Sequence, residues 1–224
     1  MSSIGIERSL TVFFVAVMSL AGAGCTHIAS YNPAYIPPIA TSTPANKSDG
    51  RALVFTEKKD DDYSFSGHPT SFTGSATTLQ IALGLITREI AVSVFGKNFS
   101  EGAEQSNTLE RSPGYRVIVQ PKVTNFSFEY NAAKNVGFVI TPTVTLSLDV
   151  AVMGGDGKSR WQRQYQSGPV ESESYIMTGN PGDEVGKAAH KAIGQLLLQA
   201  AGDIREYLRT NETAPGTSSQ GRAL

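Results

Sequence analysis

The sequence predicts an α+β domain: one antiparallel sheet in β-α-β-β-β-α order with two helices packed on one face. Three observations carry this. From 144 to 152 the chain alternates strictly, with Val144, Leu146, Leu148, Val150 and Val152 to one side and Thr145, Ser147 and Asp149, after Thr143, to the other. A strand with one apolar and one polar side belongs to a sheet covered on one face, which favours antiparallel pairing. Leu79, Leu83, Ile86, Ile90 and Val94 recur at three- and four-residue steps, as one face of a helix does. Ala189, Ile193, Leu196, Leu197, Ala200, Ile204 and Leu208 repeat that pattern near the end of the chain. Two helices with one apolar stripe each, and one sheet with one apolar face, bury each other in two layers.

In chain order, the first element is a leader. Arg8 beside Glu7 precedes an apolar run from Leu10 to Leu20, and Ala21, Gly22, Ala23 and Gly24 close it ahead of Cys25. A charged start, about ten apolar residues and a small-residue exit form an export signal, which assigns residues 1–24 to a signal peptide. The run is short of the roughly 20 residues that span a bilayer. Two cleavage patterns are present. The stretch ending in Gly24-Cys25 resembles the bacterial lipoprotein signal, with Gly22 where leucine is usual; that resemblance implies a diacylglyceryl group on Cys25 as the new N-terminus. Ala21-Gly22-Ala23 is also an ordinary A-x-A site, which would release a soluble periplasmic protein. Cys25 is the chain's single cysteine. An exported protein with one thiol has no disulfide partner for it, and lipid attachment needs none.

Residues 25–50 contain Pro33, Pro37, Pro38 and Pro44 among small polar residues, the composition of an extended tether. Thr26, where retention in the inner membrane would call for aspartate, resembles the outer-membrane sorting pattern and implies a lipid-anchored, periplasm-facing location there.

Residues 51–209 are the size of a single domain. RALVFT reads as a strand, followed by the long polar and aromatic loop EKKDDDYSFSGHPTSFTGSATT. Thr77 or Thr78 is placed to cap the first helix and Gly96 to end it; Gly84 inside it costs about 1 kcal/mol against alanine. In YRVIVQPKVTNFSFEY, Tyr115, Val117 and Val119 share a face, and the phase then flips to Phe126, Phe128 and Tyr130. A flip in a period-two pattern demands a bulge or bend, expected near Pro121. GGDG at 154–157 reads as the hairpin turn into SRWQRQYQ; no helix follows it, so it is no phosphate loop. Asn180-Pro181-Gly182-Asp183-Glu184 opens the second helix with a cap, a first-turn proline and acidic residues that suit its dipole. Residues 210–224 are small and polar, read as a disordered tail.

Chemistry-bearing patterns are sparse. The chain has no G-x-S-x-G elbow, no H-E-x-x-H and no phosphate-binding glycine loop, so no catalytic residue, metal site or cofactor is predicted. His190 is expected to be solvated on the last helix, and Asp60-Asp61-Asp62, beside Lys58 and Lys59, a solvated loop rather than a calcium site. A net charge of -1 carries no basic stripe for nucleic acid. Trp161, Tyr165, Phe126, Phe128 and Tyr130 are expected in the core or as cross-strand pairs. The aromatic loop is the expected partner-binding surface, through Tyr63, Phe65, His68 and Phe72, because long loops in compact domains are commonly functional.

The segment YRVIVQPKVTNFSFEYN…ITPTVTLSLDVAVMGGDGKSRWQRQYQSG, with the helix GNPGDEVGKAAHKAIGQLLLQAAGDI and the leader ending at Cys25, resembles small envelope lipoproteins of the YajG type. It is similar in layout to auxiliary lipoproteins of ABC-type lipid transporters and to lipoprotein activators of peptidoglycan synthases. The resemblance covers about the C-terminal half and implies a non-enzymatic accessory subunit of an envelope assembly, with an unnamed envelope protein as partner. The competing expectation is a periplasmic module that binds a lipid or other amphiphile between helices and sheet.

Overall fold

The structure is a computed structural model that describes residues 25–38, 47–110, 113–131, 139–176 and 180–213. The expected signal peptide and the end of the tail, residues 214–224, lie outside the described residues.

The main layer is a seven-stranded sheet built around two long strands, β6 (Val117–Asn131) and β7 (Val139–Met153). These pair antiparallel from Ile118↔Met153 to Asn131↔Thr141, with a register shift between Val123 and Asn125. This is the bulge that the phase flip demands, a few residues beyond Pro121. It lets Val119 and Val123 on one side of it and Phe126, Phe128 and Tyr130 on the other face the same core. Pro121 lies two residues past the last pair between β6 and β2 (Ala52–Phe55), where β6 has lost its neighbour on that side and a proline is tolerated. The turn at 154–157 joins β7 to β8 (Ser159–Gln166) as expected, closed by the Gly157 amide on the Gly154 carbonyl at 3.0 Å. Two short strands, β9 (Val170–Glu171) and β10 (Tyr175–Ile176), complete pairing with β7.

The sheet is mixed, not antiparallel as the sequence predicts. β2 runs parallel to both β6 and β5 (Ala103–Ser106). The reason is connectivity: the helix α2 (Leu83–Asn98) stands between β2 and β5, and a helical crossover returns the chain in the same direction. β2 is buried along its whole length, because Leu53 and Phe55 join Ile118 in a small second cluster on the sheet's far face.

A further sheet precedes α2. β1 (Thr26–Ala29), β4 (Thr78–Ile81) and β3 (Phe65–Gly67) pair in the order β1-β4-β3, with β1 parallel to β4. Two expectations are corrected here. Leu79 belongs to β4, not to the first helix, which starts at Leu83 with Ala82 at its cap position and no side-chain cap; Leu79 and Leu83 are both buried, so periodicity alone ran them together. The start of the expected tether is also packed: Thr26–Ala29 is a strand, and Pro33–Tyr35 forms a 3-10 turn. A parallel partner about fifty residues away supplies the hydrogen bonds that local composition does not announce.

The run of aspartates is not a solvated loop either. Lys58–Asp61 forms a one-turn helix, α1. Arg88 of α2 donates to both oxygens of Asp61, at 2.7 and 2.8 Å, and Lys122 of β6 reaches Asp60 at 3.2 Å. α1 sits on Gly84 so closely that a Cβ there would collide with the Asp60 and Asp61 carbonyl oxygens.

The last helix, α3 (Pro181–Thr213), begins where Asn180-Pro181 predicts and runs past 209. α2 and α3 lie on one face of the sheet, as expected. Ile86, Ile90 and Val94 of α2, Val185, Ile193 and Leu197 of α3, and Val144 to Val150 of β7 at alternate positions are all fully buried between the layers.

Candidate functional site

The residues predicted to carry function lie at two ends of β3. Tyr63 stands before it, beside the start of α2, where its carbonyl accepts the Gly84 amide at 2.9 Å. Phe65, inside the strand, is half-buried and turns edge-on to Phe126 and Phe128, with ring centroids 4.8 and 6.1 Å away. It pins the segment to the core. His68, past the other end, is exposed with Nδ1 2.8 Å from the Thr77 carbonyl oxygen. Phe72 is 95% exposed. The four are therefore not one surface: His68 and Phe72 share an end of the domain with Cys25, and Tyr63 and Phe65 do not.

That end is tightly built. Cys25 is exposed and its thiol is free; its carbonyl accepts the Thr78 amide at 2.9 Å, so it is bound to the first pair of the β1–β4 ladder. The loop from His68 to Thr77 is stitched to the end of β6. Thr70 donates its amide to the Phe128 carbonyl at 2.8 Å, and the Tyr130 amide donates to Ser71 Oγ at 2.9 Å. Gly74, at φ +76°, lies against the Tyr130 ring where any side chain would clash. Burial pushes the Tyr130 phenol up to about 12, so it is neutral at physiological pH.

The N-terminal segment is clasped to α3 by a residue the sequence places in solvent. His190 is fully buried. Its ring stacks on Tyr31, with centroids 5.7 Å apart, and meets the Tyr35 ring edge-on at 5.6 Å. The Asn32 amide donates to Nε2 at 3.2 Å, which places the proton on Nδ1, where it is donated to the Gly186 carbonyl at 2.7 Å. Tyr35 in turn donates to Asp183 Oδ1 at 2.6 Å beneath the Lys187 ammonium, 5.5 Å from the ring centroid. Pro37 packs so closely on Gly194 that a Cβ there would clash. His190 sits at the edge of the apolar stripe beside Ala189; the aromatic pair Tyr31 and Tyr35, four residues apart, was the signal that something apolar waited for them.

Burial pulls the His190 ring below its ordinary pKa, its hydrogen bond to Gly186 opposing in part. The unfolded chain therefore binds a proton before the folded one does, and stability falls as pH drops below about 6.5, until the folded ring also titrates. In His190→Gln, the loss of melting temperature between pH 7 and pH 5 is expected to be smaller than in the parent. Equal slopes would show that the clasp does not titrate.

An open groove of about 630 Å³ lies outside this clasp, lined by Tyr35, Pro37, Glu173, Lys187, Lys191 and Gln195. Among the described residues no three His, Cys, Asp or Glu side chains gather as a metal site. No described helix is long and apolar enough to cross a membrane.

No protein-family model matches the chain, so the resemblance to YajG-type lipoproteins has no support from that side, and no curated protein matches it either. Among solved structures it is similar to a protein described as a neuraminyllactose-binding hemagglutinin homolog from Helicobacter pylori, at 8% identity and TM-score 0.41, over 79% of this chain and 98% of that one. It is similar to a PelC dodecamer subunit from Paraburkholderia phytofirmans at 13% identity and TM-score 0.34, over 70% of this chain and 92% of that one. A Caulobacter crescentus CB15 protein described as a lipoprotein shares 14% identity at TM-score 0.32, over 58% of this chain and 82% of that one. Overlaps of this extent carry neither fold nor function across to this chain.

Proposed function

We propose that this protein is a non-catalytic envelope lipoprotein, anchored in the outer membrane through a lipid on Cys25 and facing the periplasm as accessory subunit of an envelope assembly or transport system. The observation that carries the reading is the position of Cys25. It is exposed, it follows an export-like run, and it stands immediately ahead of β1. Cleavage before it removes nothing of the described fold, and an acylated thiol there displaces no packed side chain. On this reading a partner protein is met through the surface of the domain.

The competing amphiphile-binding reading needs room between helices and sheet. That layer is filled by fully buried side chains, and the groove beside Tyr35 opens to solvent.

Mass spectrometry of the mature protein is expected to find a lipid-modified cysteine at the N-terminus, and Cys25→Ser to move the protein from the membrane to the periplasmic fraction. An unmodified chain starting at Gly24 would replace this reading with ordinary signal cleavage. Purification from detergent-solubilised membranes then identifies the partner.

A further inference from the structure

A tether reaching to Gly50 would hold the domain as far as about 80 Å from its anchor. The structure leaves no such distance, because the strand begins at Thr26 and the Cys25 carbonyl is already hydrogen-bonded to Thr78. A lipid on Cys25 therefore brings the end of the domain that surrounds it to the bilayer. That end carries two of the exposed large apolar side chains, Phe72 at 95% and Ile176 at 66% exposure. Both are reached from Tyr130, at the end of β6. Ser71, next to Phe72, accepts the Tyr130 amide, while Tyr130 pairs with Pro142 of β7 and Ile176 with Val139, three residues from Pro142 on the same strand. Ile28, 65% exposed, lies three residues beyond Cys25 in β1.

Phe72 does not dangle from a loose loop. Ser71 Oγ, which accepts the Tyr130 amide, donates to the Thr73 carbonyl at 3.0 Å, and the Ser75 amide donates to the Phe72 carbonyl at 3.2 Å. A loop held on both sides of a ring that packs on nothing presents that ring to something outside the chain. Aromatic side chains favour the membrane interface, where the ring leaves water without entering the hydrocarbon centre. We infer that the Cys25 end of the domain rests on the bilayer surface, with Phe72 and Ile176 inserted at the headgroup–acyl boundary of the lipids around the anchor.

The inference rests on the lipid reading of Cys25, and one experiment separates the two. The full-length chain is purified from membranes, its N-terminus is checked by mass spectrometry, and it is reconstituted in phosphatidylethanolamine–phosphatidylglycerol vesicles containing brominated acyl chains. Phe72→Trp, in a Trp161→Phe background, is expected to lose about half or more of its emission to bromine, as insertion by roughly 5–10 Å places it within quenching range. The same holds for Ile176→Trp, while the native Trp161 of the parent, packed against Tyr207, stays unquenched. A lipid-modified protein whose introduced indoles are not quenched overturns the bilayer contact and leaves the anchor standing. Indoles unquenched in vesicles but shielded from aqueous iodide in native membranes overturn it as well, in favour of a protein partner on this end. An unmodified N-terminus removes the anchor itself, and the contact with it.

Discussion

Leu146→Asp is expected to abolish the fold. Leu146 is fully buried in the middle of β7, pairs across the strand with Phe126, and exchanges backbone and side-chain hydrogen bonds with Ser167, its amide donating to Ser167 Oγ and its carbonyl accepting the Ser167 amide, each at 2.9 Å. A carboxylate there has no cation within the apolar layer, and burying it unpaired costs several kcal/mol or forces it to take up a proton. Domains of this kind hold only about 5–15 kcal/mol in total. Circular dichroism is expected to show no cooperative melt. Leu146→Ala keeps the residue apolar and opens a cavity instead, which costs about 2–5 kcal/mol and lowers the melting temperature by roughly 5–20 °C. A Leu146→Asp protein that melts like the parent would put the stripe from Val144 to Val152 in water and turn the sheet inside out.

Gly84→Ala is expected to destabilise, against the direction that helix propensity predicts. In an isolated helix the change gains about 1 kcal/mol. Here the added Cβ meets two backbone carbonyl oxygens of α1, those of Asp60 and Asp61. Backbone yields less readily than a side-chain end, and α1 is held in place by Arg88 Nη1, which donates to both Asp61 oxygens, and by the Gly84 amide on the Tyr63 carbonyl. Overpacking of this kind costs about 1–3 kcal/mol, a melting temperature lower by roughly 3–10 °C at this size. A higher melting temperature for Gly84→Ala would mean that α1 does not lie on α2.

The elements legible in the sequence are those whose evidence is local and long. The fifteen-residue β6 and β7, the hairpin at 154–157 and α3 each repeat a pattern over enough residues to declare their period. The bulge in β6 was legible as well, because a phase flip in a long strand has one physical meaning. Of the four-residue strands β2 was read, from RALVFT, but β1, β4 and β5 were not. Four residues such as THIA, TLQI or AEQS show no period, and what makes them strands is a partner elsewhere in the chain. The same holds for the site. Cys25, His68 and Phe72 were named from the sequence, but their shared end of the domain, and the separation of Phe65 from it, follow from β3, which the sequence read as loop, and from β4, which it ran into the first helix.

The sequence by itself carried the export-like run ahead of a single cysteine, the two helical stripes, the apolar face of β7 and the absence of recognisable catalytic motifs. Each of these is a property of neighbouring residues, set by composition or by a side-chain period. Tertiary structure alone decided that β2 runs parallel to its neighbours, since direction depends on the helix interposed between strands. It alone decided that His190 is buried, because residues more than 150 positions away supply its cover. It also turned the beginning of a tether into a strand: a proline-spaced polar segment has no stability of its own, yet the β4 edge and the rings around His190 give its backbone and side chains partners. With that, Cys25 directly adjoins the first strand of the domain.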